Sequence, residues 1–148
     1  MMNSTTPPEA GQLIAHKAVH KSKHKQFFPW LFGPISGEFC VYRWVNTHCQ
    51  GYIGAKWACY HTDNNTGFLA PVLDGSLSVT VANGFEGLMT AEAVGITATL
   101  YALNGGIWEI YHRSQSHPGL TYLQQKYDSL RDFASQHAEA ALICRAID

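Results

Sequence analysis

The stretch Asn83 to Asn104, NGFEGLMTAEAVGITATLYALN, decides the fold. Asn83-Gly84 and Gly87 are the residues a chain uses where φ turns positive or the backbone folds tightly. Thr90 then offers a hydroxyl to the orphan N–H groups of a helix, and Glu92 puts negative charge in its first turn. Ala93, Ile96, Leu100 and Leu103 recur at steps of three and four, the spacing of one helical face. Gly95, Thr97, Ala98 and Ala102 keep the remaining surface small, so neighbours can approach closely. The stretch predicts a tight turn with Phe85 turned to the core, then a central helix packed on a sheet and ended by Gly105-Gly106.

Upstream, Lys56 to His61 reads as a strand with Trp57, Cys59 and His61 on one face. Thr62 to Gly67, TDNNTG, is dense in turn residues and closes a hairpin onto a return strand, Phe68 to Val72. Asp74-Gly75 makes a second turn, and Leu77, Val79 and Val81 alternate as a third strand. Ser36 is placed to cap an apolar helix that reaches His48. Phe27 to Pro34, FFPWLFGP, is aromatic and proline-broken and reads as an extended strap over the core. Downstream, Ile107 to His112 reads as a short helical piece or loop. The closing helices begin near Leu120, with Leu123, Tyr127, Leu130 and Ala134 on one face. The fold class is therefore α+β: a small antiparallel meander packed with about four helices in a single domain.

Charge narrows the function. The chain of 148 residues has a net charge of −1 and only 14% charged residues. Lys17, Lys21, Lys23 and Lys25 stand against Glu9 in residues 1–25, a local +3, which leaves −4 for residues 26–148. DNA carries one charge per about 1.7 Å of axis. A body so mildly acidic cannot copy that density, so wholesale DNA mimicry is a poor explanation, and the body is not a basic nucleic-acid binder either. Residues 1–25 read as a flexible basic leader, in which His16 to Lys25 has helical spacing, and 26–148 as the folded domain. The polar, proline-bearing start lacks the order of a signal peptide. With no long apolar run, this predicts a cytoplasmic protein, monomeric or weakly self-associating.

Two of these blocks, with a third, carry a family resemblance. The stretch Asn83 to Asn104 is similar to the ArdB/KlcA antirestriction proteins of plasmids and other mobile elements. Tyr52 to Pro71, YIGAKWACYHTDNNTGFLAP, resembles that family's strand pair, and Leu123 to Asp148 its closing helices. Ala55, His61 and Ala138 depart from the family pattern. The resemblance implies a non-enzymatic protein that protects incoming DNA from host type I restriction enzymes. Its partner would be a restriction subunit or an associated host factor.

The residues themselves offer no catalytic constellation. His16, His20 and His24 share one helical face, but interleaved lysines repel a cation. His48, Cys49, Cys59 and His61 fit no compact zinc spacing. No metal and no cofactor is predicted, and the four cysteines read as buried free thiols. The candidate partner contacts are Asp63, Asn64 and Asn65 in the polar loop, Phe85 and Glu86 in the glycine turn, and Asp132, Glu139 and Asp148 near the C-terminus. Two other classes remain open: a nucleic-acid-associated protein using the basic leader as an arm, and a hydrolase assembled from Asp63, His61 or His112.

Overall fold

The computed structural model describes residues 14–148. Six strands and five α-helices form one α+β domain. They run β1 (His16–Ala18), α1 (His24–Phe32), α2 (Gly37–His48), β2 (Cys49–Gln50), β3 (Trp57–Thr62) and β4 (Gly67–Pro71). Then follow β5 (Ser76–Thr80), β6 (Glu86–Thr90), α3 (Ala91–Arg113), α4 (Gly119–Ser135) and α5 (Ala140–Ile147). The strands form two antiparallel sheets of three, ordered β1-β3-β4 and β2-β5-β6. The expected meander is thus divided in two, because β4 and β5 each pair elsewhere. Strand β6 lies where the sequence suggested only turn and cap. It pairs Leu77 with Met89 and Val79 with Gly87.

Helix α3 is the axis of the molecule. Thr90 caps it as expected, its hydroxyl accepting from the Ala93 N–H at 3.3 Å. From Ala91 to Leu100 only Glu92 is not fully buried. The small residues explain how. A Cβ on Gly95 would meet the Leu69 carbonyl oxygen and stand 2.6 Å from the Ala70 Cα of β4. The Thr99 hydroxyl accepts from the Leu69 N–H at 3.2 Å and donates to the Gly95 carbonyl at 2.8 Å. Helix α3 therefore covers the open side of edge strand β4 and satisfies a donor that no further strand reaches.

Gly105-Gly106 does not end α3, which continues to Arg113 and takes in Ile107 to His112. Gly106 lies under Ile35, where a side chain would collide, and its role is a close helix–loop approach. Phe27 to Pro34 is not an extended strap. Most of it is helix α1, with Pro29 inside and Gly33 ending it at φ +55°. An interior proline costs about 3 kcal/mol. Burying Phe27, Leu31 and Phe32, each at about 1.5–3 kcal/mol, outweighs it.

The basic segment also departs from the helical reading. His16, Lys17 and Ala18 pair with Thr62, His61 and Tyr60 as an edge strand, and a short 3-10 turn at Lys21–Lys23 leads into α1. Residues 14–25 are thus built into the fold, and 1–13 of the expected leader lie outside the described residues. Ser36 precedes α2 but makes no side-chain cap bond. Cys49 opens β2, directly after α2. Cys49 and Cys59 are buried free thiols, whereas Cys40 and Cys144 are half-buried. The closing face is as expected, with Leu123, Leu130 and Ala134 buried and Tyr127 packed against the core.

Candidate functional site

The polar loop between β3 and β4 folds back onto α4. Asn65 takes a left-handed φ of 67°. Its carbonyl accepts from the Lys126 Nζ at 2.9 Å. The Asn64 side-chain amide donates to the Ser129 carbonyl at 2.7 Å, and the buried Thr66 hydroxyl donates to the Lys126 carbonyl at 2.8 Å. Asn64 and Asn65 thus serve the loop–helix joint. Asp63 is exposed at the tip, its N–H bonded to the Ala15 carbonyl.

Phe85 is a core residue at 4% exposure, under the Arg145 guanidinium. The Asn83 side chain makes the turn. Its Oδ1 accepts from the Phe85 N–H at 3.0 Å, and its amide donates to the Arg145 and Ala146 carbonyls of α5. Glu139 accepts from the Thr90 N–H at 2.9 Å and from the Thr90 hydroxyl, which ties the start of α5 to the start of α3. Glu86, Asp132 and Asp148 remain on the surface.

The structure does not gather His61, Asp63 and His112. His61 packs on Trp30 at 4.5 Å, and His112 on Trp108 at 5.7 Å. Burial and then Lys126 lower the His61 pKa. His16, His20 and His24 are separated as well. His16 lies on β1, the His20 Nδ1 accepts from the Ser22 N–H, and His24 contacts the Val19 carbonyl. Among the described residues no group of histidine, cysteine or acidic side chains is arranged to hold a metal.

One hydrogen-bonded cluster has no signal in the sequence. Glu92, placed by Thr90 in the first turn of α3, bridges two histidines. His137 Nε2 lies 2.8 Å from Glu92 Oε2, and His16 Nε2 3.2 Å from Oε1. The His137 Nδ1 accepts from the Glu139 N–H at 3.0 Å, so its proton sits on Nε2 and points to Glu92. The hydrogen bond from His137 leads the causes that hold the Glu92 carboxyl below its ordinary pKa. The His16 ring packs edge-on against Tyr60 and Phe133. The cluster pins β1 and the α4–α5 corner to the head of α3. Residues 16, 92 and 137 are too far apart in the chain for any spacing to reveal it.

Beyond these joints, the molecule offers contact surfaces. A cleft of about 790 Å³ opens between α2 and the second half of α3. Gly105 and Gly106 flatten its floor, Arg43 and Arg113 flank it, and Phe39 stands at its side 60% exposed. Helical spacing puts Trp108 and Tyr111 on the other side of α3. They are 53% and 40% exposed and pack edge to face at 5.7 Å. Trp, Tyr and Arg are the side chains that most often carry protein–protein binding energy.

A sequence profile described as "Antirestriction protein" matches residues 50–148, two thirds of the chain. This chain belongs to the antirestriction protein family. Two Escherichia coli relatives, each named antirestriction protein KlcA, are similar over nearly their whole lengths. One is 39% identical over 91% of this chain and 94% of its own, the other 38% identical over 99% and 100%. A solved structure is 37% identical, with a TM-score of 0.81 over 99% of this chain and 100% of its own. It comes from work describing KlcA and ArdB proteins as having a novel fold and "antirestriction activity against Type I DNA restriction systems in vivo but not in vitro". The family profile spans β3 to α5, and so includes the Asn65–Lys126 joint, Glu92 and His137. The full-length relatives extend the likeness over β1, α1 and α2.

Proposed function

We propose that this protein counters host type I restriction systems, and so protects incoming plasmid or phage DNA, by binding a protein rather than by imitating DNA. The observation that carries the reading is the contrast described for its solved relatives, activity in vivo but not in vitro. A DNA decoy needs only the enzyme, whereas a protein that works through a cellular partner loses its effect in a purified reaction. The net charge of −1 points the same way, since it is far below that of a duplex. In this reading the protein acts stoichiometrically, without turnover, as a monomer or weak oligomer in the host cytoplasm. It captures an associated host factor, or a restriction subunit in a form that only the cell supplies.

The exposed aromatic residues of α2 and α3, Phe39, Trp108 and Tyr111, are the proposed main contacts. Asp63, Glu86, Asp132 and Asp148 are exposed and can supply charge at an edge. Asn64, Phe85 and Glu139 are engaged in internal joints and shape the surface, whereas the Asn65 side chain is exposed beside Asp63 and can add to the contact. The test is the plating efficiency of unmodified phage on cells with a type I system, with and without this protein. Wild type should restore plating with host methylation unchanged. Trp108→Ala and Tyr111→Ala together should reduce protection by about tenfold or more while the soluble yield and thermal midpoint hold. Full protection by the double variant would place the contact elsewhere. No protection by wild type would refute the function.

A further inference from the structure

The basic segment from Lys17 to Lys23 forms one wall of a groove between β1 and α1. The groove has a volume of about 570 Å³, within the size range of small-ligand sites, roughly 300–1,000 Å³. Phe27, Trp30 and His61 make its floor, with ring centroids 5.6, 5.2 and 4.5 Å apart and mutually tilted. Lys17 and Lys23 stand exposed at its rim, and among the described residues no acidic side chain lines it. Lys126 comes up from beneath, its Nζ 4.0 Å from the centroid of the Trp30 ring. Lys17, Lys21, Lys23 and Lys25 are four of the ten basic residues of a chain whose net charge is −1. Lys17 and Lys23 thus set positive charge at the rim of one apolar hollow, with the Lys126 ammonium against its Trp30 ring.

We propose that this groove binds an acidic protein segment carrying a large apolar side chain, with the side chain seated against Trp30 and His61 and flanking carboxylates held by Lys17 and Lys23. The floor disfavours a nucleic acid. Base stacking needs an open flat ring face. Phe27 is 2% exposed, Trp30 meets His61 edge to face, and the Lys126 ammonium lies over a Trp30 face. What remains is an uneven apolar hollow inside a cationic rim, suited to one inserted side chain between carboxylates. The site lies apart from α2 and the second half of α3, and its test does not depend on restriction.

The experiment is fluorescence anisotropy of a labelled peptide of Asp and Glu around a central Phe, titrated at low salt with the full chain. Comparators are the same peptide with Ala for Phe, its Lys-for-acid counterpart, and a single-stranded DNA oligonucleotide of equal charge. The acidic Phe peptide should bind best, and replacing its Phe should weaken it about tenfold. Lys23→Glu reverses a rim charge. Gln26→Glu places a carboxylate in the groove, at a first-turn position of α1 where negative charge favours the helix, so the fold is retained. Each should weaken binding several-fold with an unchanged thermal midpoint. The proposal is overturned if the peptide does not bind, if its Ala form binds equally, if both variants bind like wild type, or if the oligonucleotide binds more tightly. An absence of binding would leave the lysines as guards of an edge strand against self-pairing.

Discussion

Three glycines of α3 should respond to the same substitution in three different ways. Alanine is better than glycine in a helix by about 1 kcal/mol. At Gly105 a new Cβ meets nothing within 4 Å. Gly105→Ala should therefore stabilise by about 0.5–1 kcal/mol and raise the thermal midpoint by about 1–4 °C. At Gly95 the Cβ would press on the Leu69 carbonyl and lie 2.6 and 2.7 Å from the Cα and Cβ of Ala70. Strand backbone cannot rotate away, so the cost lies at or above the upper end of the roughly 1–3 kcal/mol for overpacking. After the propensity gain, Gly95→Ala should lose about 2 kcal/mol or more and lower the midpoint by at least about 4 °C. Gly106 faces the flexible end of Ile35, which can turn aside, so Gly106→Ala should fall within about 1 kcal/mol of wild type. Urea and thermal unfolding of the three variants read this directly. Gly95→Ala matching wild type within about 0.5 kcal/mol would refute the close approach of α3 to β4. A destabilising Gly105→Ala would mean that the helix stops at the glycine pair.

Glu92→Gln tests the two-histidine cluster. A carboxyl held below its ordinary value stabilises the fold above that value, 4.5 for Glu, and the contribution is lost as pH falls through the folded value. The variant should lose stability at neutral pH and show a flatter decline below pH 4.5, whereas parallel curves of urea midpoint against pH would remove the cluster from the acid limb. Thiol labelling tests the core. Burial pushes Cys49 and Cys59 up to about 11 and about 12, so at mildly alkaline pH the half-buried Cys40 and Cys144 should react quickly and the other two only on unfolding. Four equal labelling rates would contradict that burial.

Local chemistry was legible wherever one short stretch carries its own signal. The Thr90 cap, the β3–β4 hairpin, the apolar face of α4 and the Asn83-Gly84 turn all depend on residues a few positions apart. Elements whose local signal conflicts with packing were not. Pro29 and Gly33 suggest an extended strap, but three buried side chains make a helix of it. Gly105-Gly106 suggests a stop, but the second glycine serves a close contact with Ile35. The candidate contacts divide in the same way. Asp63, Glu86, Asp132 and Asp148 reach the surface. Asn64, Glu139 and Phe85 are drawn inward by partners 65, 49 and 60 residues away, respectively.

By itself the sequence determined the α+β class, the central helix with its cap, the low net charge and the family. These follow from composition, periodicity and motif order, which are properties of a chain read in one dimension. The tertiary structure alone decided that β1 is an edge strand rather than a basic tail and that Glu92 joins His16 to His137. It alone gathered Lys17, Lys23, Lys126, Trp30 and His61 about one groove. Each of these rests on contacts between residues tens of positions apart, and only closing those loops, at an entropic cost the buried core offsets, brings the groups within reach of one another.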